Sequence, residues 1–388
     1  MNILWHSNAP WAGTGYGQQT GLFTPLLADH HNVTVSAFYG LEGAPLQLND
    51  KIKVLPGRGG TFGNESILGH AHGAFEGDLR NGLALTLMDV WVLDAKLWSK
   101  MNVLSWVPVD HDPAPPAVKA FFQHSGAVPL AMSRFGEKML AEFNPLYCPH
   151  AVDCRVYGPV DDARKIIGLP ESAFIVGVVA ANKGWGRKCL PEMIEAFARF
   201  RERHDDAILY LHTEMSGHDQ GVNLENLIRS LNIPDKALII SDQYRYQYNP
   251  LPPQMLTTLY SAFDVLLATS RGEGFGLTVL EAQAAGTPAI VTDFSAQPEV
   301  CGSGWHVEGE REWQQQQSWQ MKPSLEDTLD ALEQAYRQPE AAKKQMRNKA
   351  RAHAETYHVE TVVEKYMLPA IDKAWERFED RAPIKVAA

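Results

Sequence analysis

Short apolar runs, broken by glycine-rich or polar connectors, recur along the chain at the spacing of alternating strands and helices. Asn2-Ile3-Leu4-Trp5 breaks into the loop Asn8 to Gly17, and an amphipathic stretch follows from Gln18 to Leu27, which reads as strand, loop and helix. Val33 to Phe38 supplies the next strand within the reach of a βαβ unit. Leu83 to Leu87, Val103 to Val107 and Val128 to Met132 continue the alternation. Residues 1–158 are therefore expected to form one doubly wound α/β domain.

Between Pro145 and Pro159 the pattern loosens, as in an interdomain connection, and a second alternation then begins. Phe174 to Ala180, Ala207 to His212, Ala237 to Ser241, Val265 to Ala268 and Ala289 to Thr292 are apolar enough for strands buried on both faces of a parallel sheet, with Leu190 to Arg203 as a helix. Trp313 to Trp319, with its four consecutive glutamines, is expected to be a surface excursion. From Ser324 the chain reads as helical, Ser324 and Asp327 matching a capping motif. The basic cluster Lys343, Lys344, Arg347, Lys349 and Arg351 is expected to form a solvated helix face. A second domain over 159–365 and a helical tail over 366–388 complete the organisation.

Composition narrows the partners. The 388 residues carry 35 Lys+Arg against 46 Asp+Glu, a net charge of −11, which gives no electrostatic reason for nucleic acid or an anionic membrane as partner. The four cysteines form no C-x-x-C pair, as expected for a protein of the reducing cytoplasm. The first Lys or Arg is Lys51 and no apolar run approaches the ~20 residues of a membrane span, so neither a secretory signal nor a transmembrane segment is expected.

The chemistry concentrates in Arg271-Gly272-Glu273-Gly274-Phe275-Gly276-Leu277-Thr278-Val279-Leu280-Glu281, directly after the Val265 to Ala268 strand. A glycine-rich strand-to-helix turn exposes backbone N–H groups at a helix N-terminus, where an anion such as a phosphate is favoured. Glu273 and Glu281 flank it at up to about 12 Å, wider than a glycosidase carboxylate pair. They suit the two ends of one long ligand, and a nucleotide sugar has hydroxyls at each end and a diphosphate between.

With Glu-x7-Glu, Ala285-Gly286-Thr287-Pro288 and Gln297-Pro298-Glu299-Val300 together, the sequence resembles the retaining GT-B glycosyltransferases of family 4. His150-Ala151-Val152-Asp153 followed by Tyr157-Gly158-Pro159 is similar to that family's interdomain junction, and Ala181-Asn182-Lys183-Gly184 with Arg187-Lys188 stands at its Arg and Lys segment. The resemblance implies two Rossmann-like domains facing across a cleft, with the C-terminal helix crossing back to the first. It implies that Glu281 bonds the ribose, Glu273 the donor sugar, and Lys188 the diphosphate. Either Arg187 or Asn182 takes the place of the companion arginine, and the amides of Gly274, Phe275, Gly276, Leu277 and Thr278 cradle the phosphates. Gly13-Thr14-Gly15-Tyr16-Gly17 occupies the place of the loop that closes over the diphosphate; the alternative for these glycines is a tight turn that needs them for positive φ. Asp110 or His111 stands where the family has a histidine that reaches the donor sugar, and Trp11 and Trp185 lie in loops expected to face the cleft.

The activity so implied is metal-independent transfer of a hexosyl unit, with retention, from a UDP- or GDP-linked sugar to a hydroxyl acceptor. No cofactor is implied beyond the donor substrate. Sugar-nucleotide epimerisation, glycan phosphorolysis and glycosylation of a modified DNA base are the alternatives on the same fold, and a silent binding module is a further one. Residues 1–150 hold nine Lys+Arg against twelve Asp+Glu, so the acceptor domain lacks a basic face and a small molecule or growing glycan is the expected acceptor.

Overall fold

The computed structural model describes residues 1–57, 60–184, 186–218 and 220–380. The chain divides into two compact units, each an α/β sandwich around its own sheet. The first holds Met1–Ala151, Gln316–Ser318 and the chain from Val359 on; the second holds Val152–Gln315 and Trp319–His358.

The first sheet comprises β1 (Asn2–Asn8), β2 (Asn32–Tyr39), β3 (Leu46–Gln47), β4 (Lys53–Pro56), β5 (Leu83–Leu87), β6 (Asn102–Val107), β7 (Val128–Ala131) and β8 (Leu146–Tyr147). Its order is β3-β4-β2-β1-β5-β6-β7-β8, parallel except for β3. Successive strands leave β1 in opposite directions, so the switch point of this Rossmann-like sheet lies between β1 and β5. Ile3, Leu4 and Trp5 are fully buried, and the Trp5 ring meets Phe23 and Trp106 at 6.2 and 6.1 Å. Both buried indoles keep a hydrogen bond, Trp5 Nε1 donating to Thr20 Oγ1 at 3.0 Å and Trp106 Nε1 to Cys148 O at 2.7 Å. The helix Leu368–Glu379 belongs to this unit, burying Ile371 and Phe378 and donating from Arg377 to Asn144 O at 2.7 Å. Residues 381–388 of the expected tail lie outside the described residues.

The glycine-rich loop after β1 is not the positive-φ turn that stood as its alternative reading. None of Gly13, Gly15 and Gly17 has positive φ. Gly17 is required for close approach instead: a Cβ there would overlap the carbonyl of Ala12, against which the helix Gly15–Leu27 is laid.

The second sheet comprises β9 (Phe174–Val179), β10 (Ala207–His212), β11 (Leu238–Ile240), β12 (Val265–Ala268), β13 (Ala289–Thr292) and β14 (Gly304–Val307) in the parallel order β11-β10-β9-β12-β13-β14. Its switch point lies between β9 and β12. Here Gly177 lets the Phe263 ring lie flush on the sheet, because any Cβ would overlap that ring. The expected excursion at Trp313 to Trp319 is a hairpin of β15 (Gly309–Gln314) and β16 (Ser318–Pro323), closed by the two indoles at 5.0 Å. The α/β class and the two Rossmann-like domains expected from the sequence are both present.

The basic cluster is not a uniformly solvated face. On the helix Glu340–Glu355, Arg347 donates to Phe263 O at 2.5 Å, and Arg351 donates to Tyr157 O at 2.6 Å, Ala284 O at 3.0 Å and Cys154 O at 3.0 Å. These guanidiniums satisfy backbone carbonyls at the ends of neighbouring elements, which no charge pattern reveals. Among the described residues, no helix is long and apolar enough to cross a membrane.

Because Gly177 sits in the central strand of its sheet, Gly177→Ala should lower stability by about 2 kcal/mol through overpacking. A denaturant midpoint equal to that of the parent chain would contradict this account of the second core.

Candidate active site

In an open parallel sheet ligands bind beyond the carboxyl ends of the strands at the switch point. In the second unit that point is bounded by the loops after β9 and β12, and these carry Arg187, Lys188 and Glu273. The turn after β12 ends at Gly276, whose φ of 109° suits glycine, and opens the helix Leu277–Ala284. The first helical bonds run from Val279 N and Leu280 N to Gly276 O, each at 3.1 Å. The preceding amides have no acceptor within the helix, as at any helix start.

The three charged side chains form one cluster. Lys188 Nζ donates to Glu273 Oε1 at 2.5 Å, and Arg187 Nη1 donates to Glu273 Oε2 at 3.1 Å and to Gly272 O at 3.0 Å. The Glu273 side chain is 13% exposed. Burial pushes its carboxyl upward, but the charges of Lys188 and then Arg187, with the Lys188 hydrogen bond, outweigh it and hold the pKa at about 2. One carboxylate between two cations leaves a net charge of +1 beside a helix N-terminus, which is an electrostatic invitation to an anion. Burial pushes the thiol of Cys189, next in the chain, up to about 12.

Neighbouring backbone holds the cluster in place. Glu273 N donates to Ser295 Oγ at 2.9 Å, and Thr292 Oγ1 and Gln297 Nε2 donate to Ser270 O at 2.7 and 3.0 Å. Gln297, seen in the sequence as part of a motif without a task, is thus a prop for the Glu273 loop. Ser295 gives no signal in the sequence, because its part depends on a left-handed φ of 58°. Glu281 is buried on the helix Leu277–Ala284, where its Oε2 accepts the Tyr260 hydroxyl at 2.8 Å. Arg351, donating to Ala284 O, places a positive charge at the C-terminal end of the same helix.

Asn182, expected to bind substrate, has a structural task. Its Nδ2 donates to Glu214 O at 2.9 Å and Val222 O at 2.7 Å, while its Oδ1 accepts from Val222 N at 2.9 Å. The amide is a clip between the loops after β9 and β10, so Arg187 is the residue beside Lys188 in the charged cluster. Phe275 is buried with its ring 5.8 Å from that of Tyr357, whereas Leu277 and Thr278 are half-buried in the first helical turn. Gly274 is buried. Trp185 lies outside the described residues.

The first unit places the Gly13 to Tyr16 segment at the switch point between β1 and β5, and Asp110 and His111 in the loop after β6. Thr14 caps the helix Gly15–Leu27 by accepting from Gly17 N at 3.0 Å, and also accepts from Asn8 Nδ2 at 2.6 Å. Tyr16 OH lies 3.4 Å from Asp89 Oδ2, and Gly13 in the loop and Gly15 at the first position of the helix are exposed. Asp110 and His111 form one unit, His111 Nδ1 lying 2.7 Å from Asp110 Oδ1 with the imidazole buried. The loop after β6 therefore presents them together.

In fold class the chain is GT-B. It superimposes on a sucrose-phosphate synthase from Thermosynechococcus elongatus with a TM-score of 0.73 at 15% identity, covering 97% of this chain and 100% of that one. It also superimposes on HepE from Anabaena, solved in complex with UDP and glucose, with a TM-score of 0.67 at 13% identity, covering 96% and 100%. The family model described as glycosyl transferases group 1 matches residues 160–353, half of the sequence, and the chain belongs to that family. Among curated relatives, a D-inositol 3-phosphate glycosyltransferase of Gordonia bronchialis is 30% identical over 238 residues, 60% of this chain. The match spans 47% of that relative, so the chain covers about half of its length.

The Glu273 ion pairs carry a defined pH dependence. The folded pKa lies below the ordinary glutamate value, so their contribution is full above about pH 4.5 and is lost as the pH falls toward 2. It should be of the order of 3 kcal/mol at most. The difference in urea stability between the parent chain and Glu273→Gln should be constant near neutrality and shrink below pH ~4.5. A difference independent of pH down to 2 would contradict the shared ion pair.

Proposed function

We propose that this protein transfers a hexosyl unit from a UDP- or GDP-linked sugar to a hydroxyl acceptor, with retention at the anomeric carbon and without a metal ion. One observation carries the reading: two cations and a helix N-terminus converge at the switch point of the second sheet, on a carboxylate that a sugar hydroxyl can also address. The diphosphate takes the charge of Lys188 and Arg187, and the amides from Gly274 to Thr278 bind its oxygens. Glu281, oriented by the Tyr260 hydroxyl, accepts from the ribose. Glu273 keeps its place on the two cations and accepts from the donor sugar.

In the reaction the bond between the anomeric carbon and the diphosphate oxygen breaks, and the acceptor oxygen bonds that carbon on the same face. The acceptor proton passes to the departing phosphate oxygen. Charge grows on the diphosphate as it leaves, so Lys188, Arg187 and the amides stabilise the transition state more than the ground state. Their positive charge is what makes the reading metal-independent. Asp110 and His111 are assigned to the donor sugar as a pair.

Thermal unfolding with UDP, GDP, ADP, dTDP and CDP tests the donor site. One nucleotide, UDP or GDP, should stabilise the chain, by about 2.7 kcal/mol at a hundred times its Kd. Glu281→Ala should abolish that shift, and the absence of any shift would overturn the donor assignment. Once a donor is known, Lys188→Ala should lower kcat by a factor of about 100 or more, and an unchanged kcat would remove Lys188 from the mechanism. Full activity in excess chelator and an unchanged anomeric configuration in the product complete the test.

A further inference from the structure

The carboxyl edge of the first sheet has a composition that the donor site does not explain. Four large aromatic side chains lie on the loops or strand ends of that edge: Trp11 after β1, Tyr39 at the end of β2, Phe62 after β4 and Trp91 after β5. Each is between 37% and 58% exposed, against the expectation that such rings are mostly buried. They are tied to one another through the backbone. Trp11 Nε1 donates to Gly40 O at 2.7 Å, next to Tyr39. The Phe62 ring lies 6.1 Å from that of Phe38, and Asn64 donates to Val92 O at 2.9 Å, joining the Phe62 turn to the Trp91 turn. The rings therefore belong to one connected set of loops.

Charge on this edge is one-sided. Within the first unit, between the ends of the parallel strands and the α-helix or strand that follows each, the described loops and 3-10 turns hold six carboxylates, Asp89 and Asp110 among them, and no lysine or arginine. Arg134 opens the helix after β7, but it is bonded to Glu137 at 2.7 Å and lies 3.5 Å over the Tyr147 ring. Arg58 lies outside the described residues. A phosphate or sulfate on the acceptor would meet carboxylates here without a described cation to offset them. Flat rings flanked by hydrogen-bond acceptors suit a ligand with apolar C–H faces and many hydroxyl donors.

We infer that the acceptor is an uncharged carbohydrate, bound along this edge with its sugar rings stacked on Trp11 and Trp91 and its hydroxyls donating to Asp89. The inference rests on the glycosyltransferase reading for the word acceptor, but the binding surface is a property of the first unit by itself.

Calorimetric titration of the full chain, in the presence of the nucleotide that stabilises it, tests the surface with three kinds of probe. These are neutral tetrasaccharides of glucose, mannose and galactose, then glucose 6-phosphate and mannose 6-phosphate, then vesicles of phosphatidylethanolamine with phosphatidylglycerol. At least one neutral tetrasaccharide should bind. Trp11→Ala and Trp91→Ala should each weaken it about tenfold, the loss of one aromatic stack, whereas Trp11→Phe keeps most of the affinity. Trp313→Ala, an exposed indole of the second unit, should leave the affinity unchanged. Tighter binding of the phosphorylated sugars, or vesicle binding lost in the same two variants, would overturn the inference, as would failure of every neutral saccharide. If a nucleoside diphosphate binds and neutral saccharides do not, the acceptor inference alone has failed. If saccharides bind and no nucleotide does, the donor reading has failed and the carbohydrate surface stands.

Discussion

The second unit depends on one carboxylate held between two cations. Without Glu273, Lys188 and Arg187 would stand together on adjacent residues, half-buried and repelling one another. With it, the loops after β9 and β12 are locked across the switch point and the cluster keeps a single positive charge for a ligand. The price of burying that carboxylate is met by the cations, and their ability to meet it is what holds its pKa near 2. Ser295, Thr292 and Gln297 then matter because they fix the backbone that carries Glu273.

The helix Leu277–Ala284 links this cluster to the rest of the unit. Its N-terminus lies beside the cations, Glu281 on its buried face meets Tyr260, and Arg351 answers its C-terminal carbonyl. A displacement of the helix therefore reaches the anion seat, the candidate ribose contact and the helix Glu340–Glu355 together. This explains why arginines in a basic run are not a solvated patch: Arg347 and Arg351 donate to backbone carbonyls of neighbouring elements.

Much of this was legible in the sequence because it depends on local pattern. The strands announce themselves as apolar runs, and the turn from Arg271 to Glu281 shows its glycines and carboxylates at a spacing that means something chemically. What stayed hidden depends on which loops meet. Asn182 is a clip because Glu214 and Val222 come to it from the next loop, and no pattern near Asn182 shows that. Gly17 is required by the carbonyl of Ala12, not by its own φ, so the glycine was readable and its reason was not. The aromatic residues of the first sheet edge lie up to 80 positions apart in sequence, Trp11 to Trp91, and become one set only when parallel strands bring their ends to one side.

The two units thus carry opposite electrostatics at their strand ends, cationic around Lys188 in the second and acidic around Asp89 and Asp110 in the first. On the proposed reading, that contrast suits a charged ligand at the second unit and an uncharged one at the first. The most direct measurement is calorimetric titration of UDP and GDP at several salt concentrations against the parent chain and the double variant Arg187→Ala with Lys188→Ala. The account predicts that the double variant loses at least a hundredfold in affinity for the nucleotide that binds, together with most of the salt dependence. An affinity and salt dependence unchanged by the two substitutions would contradict it.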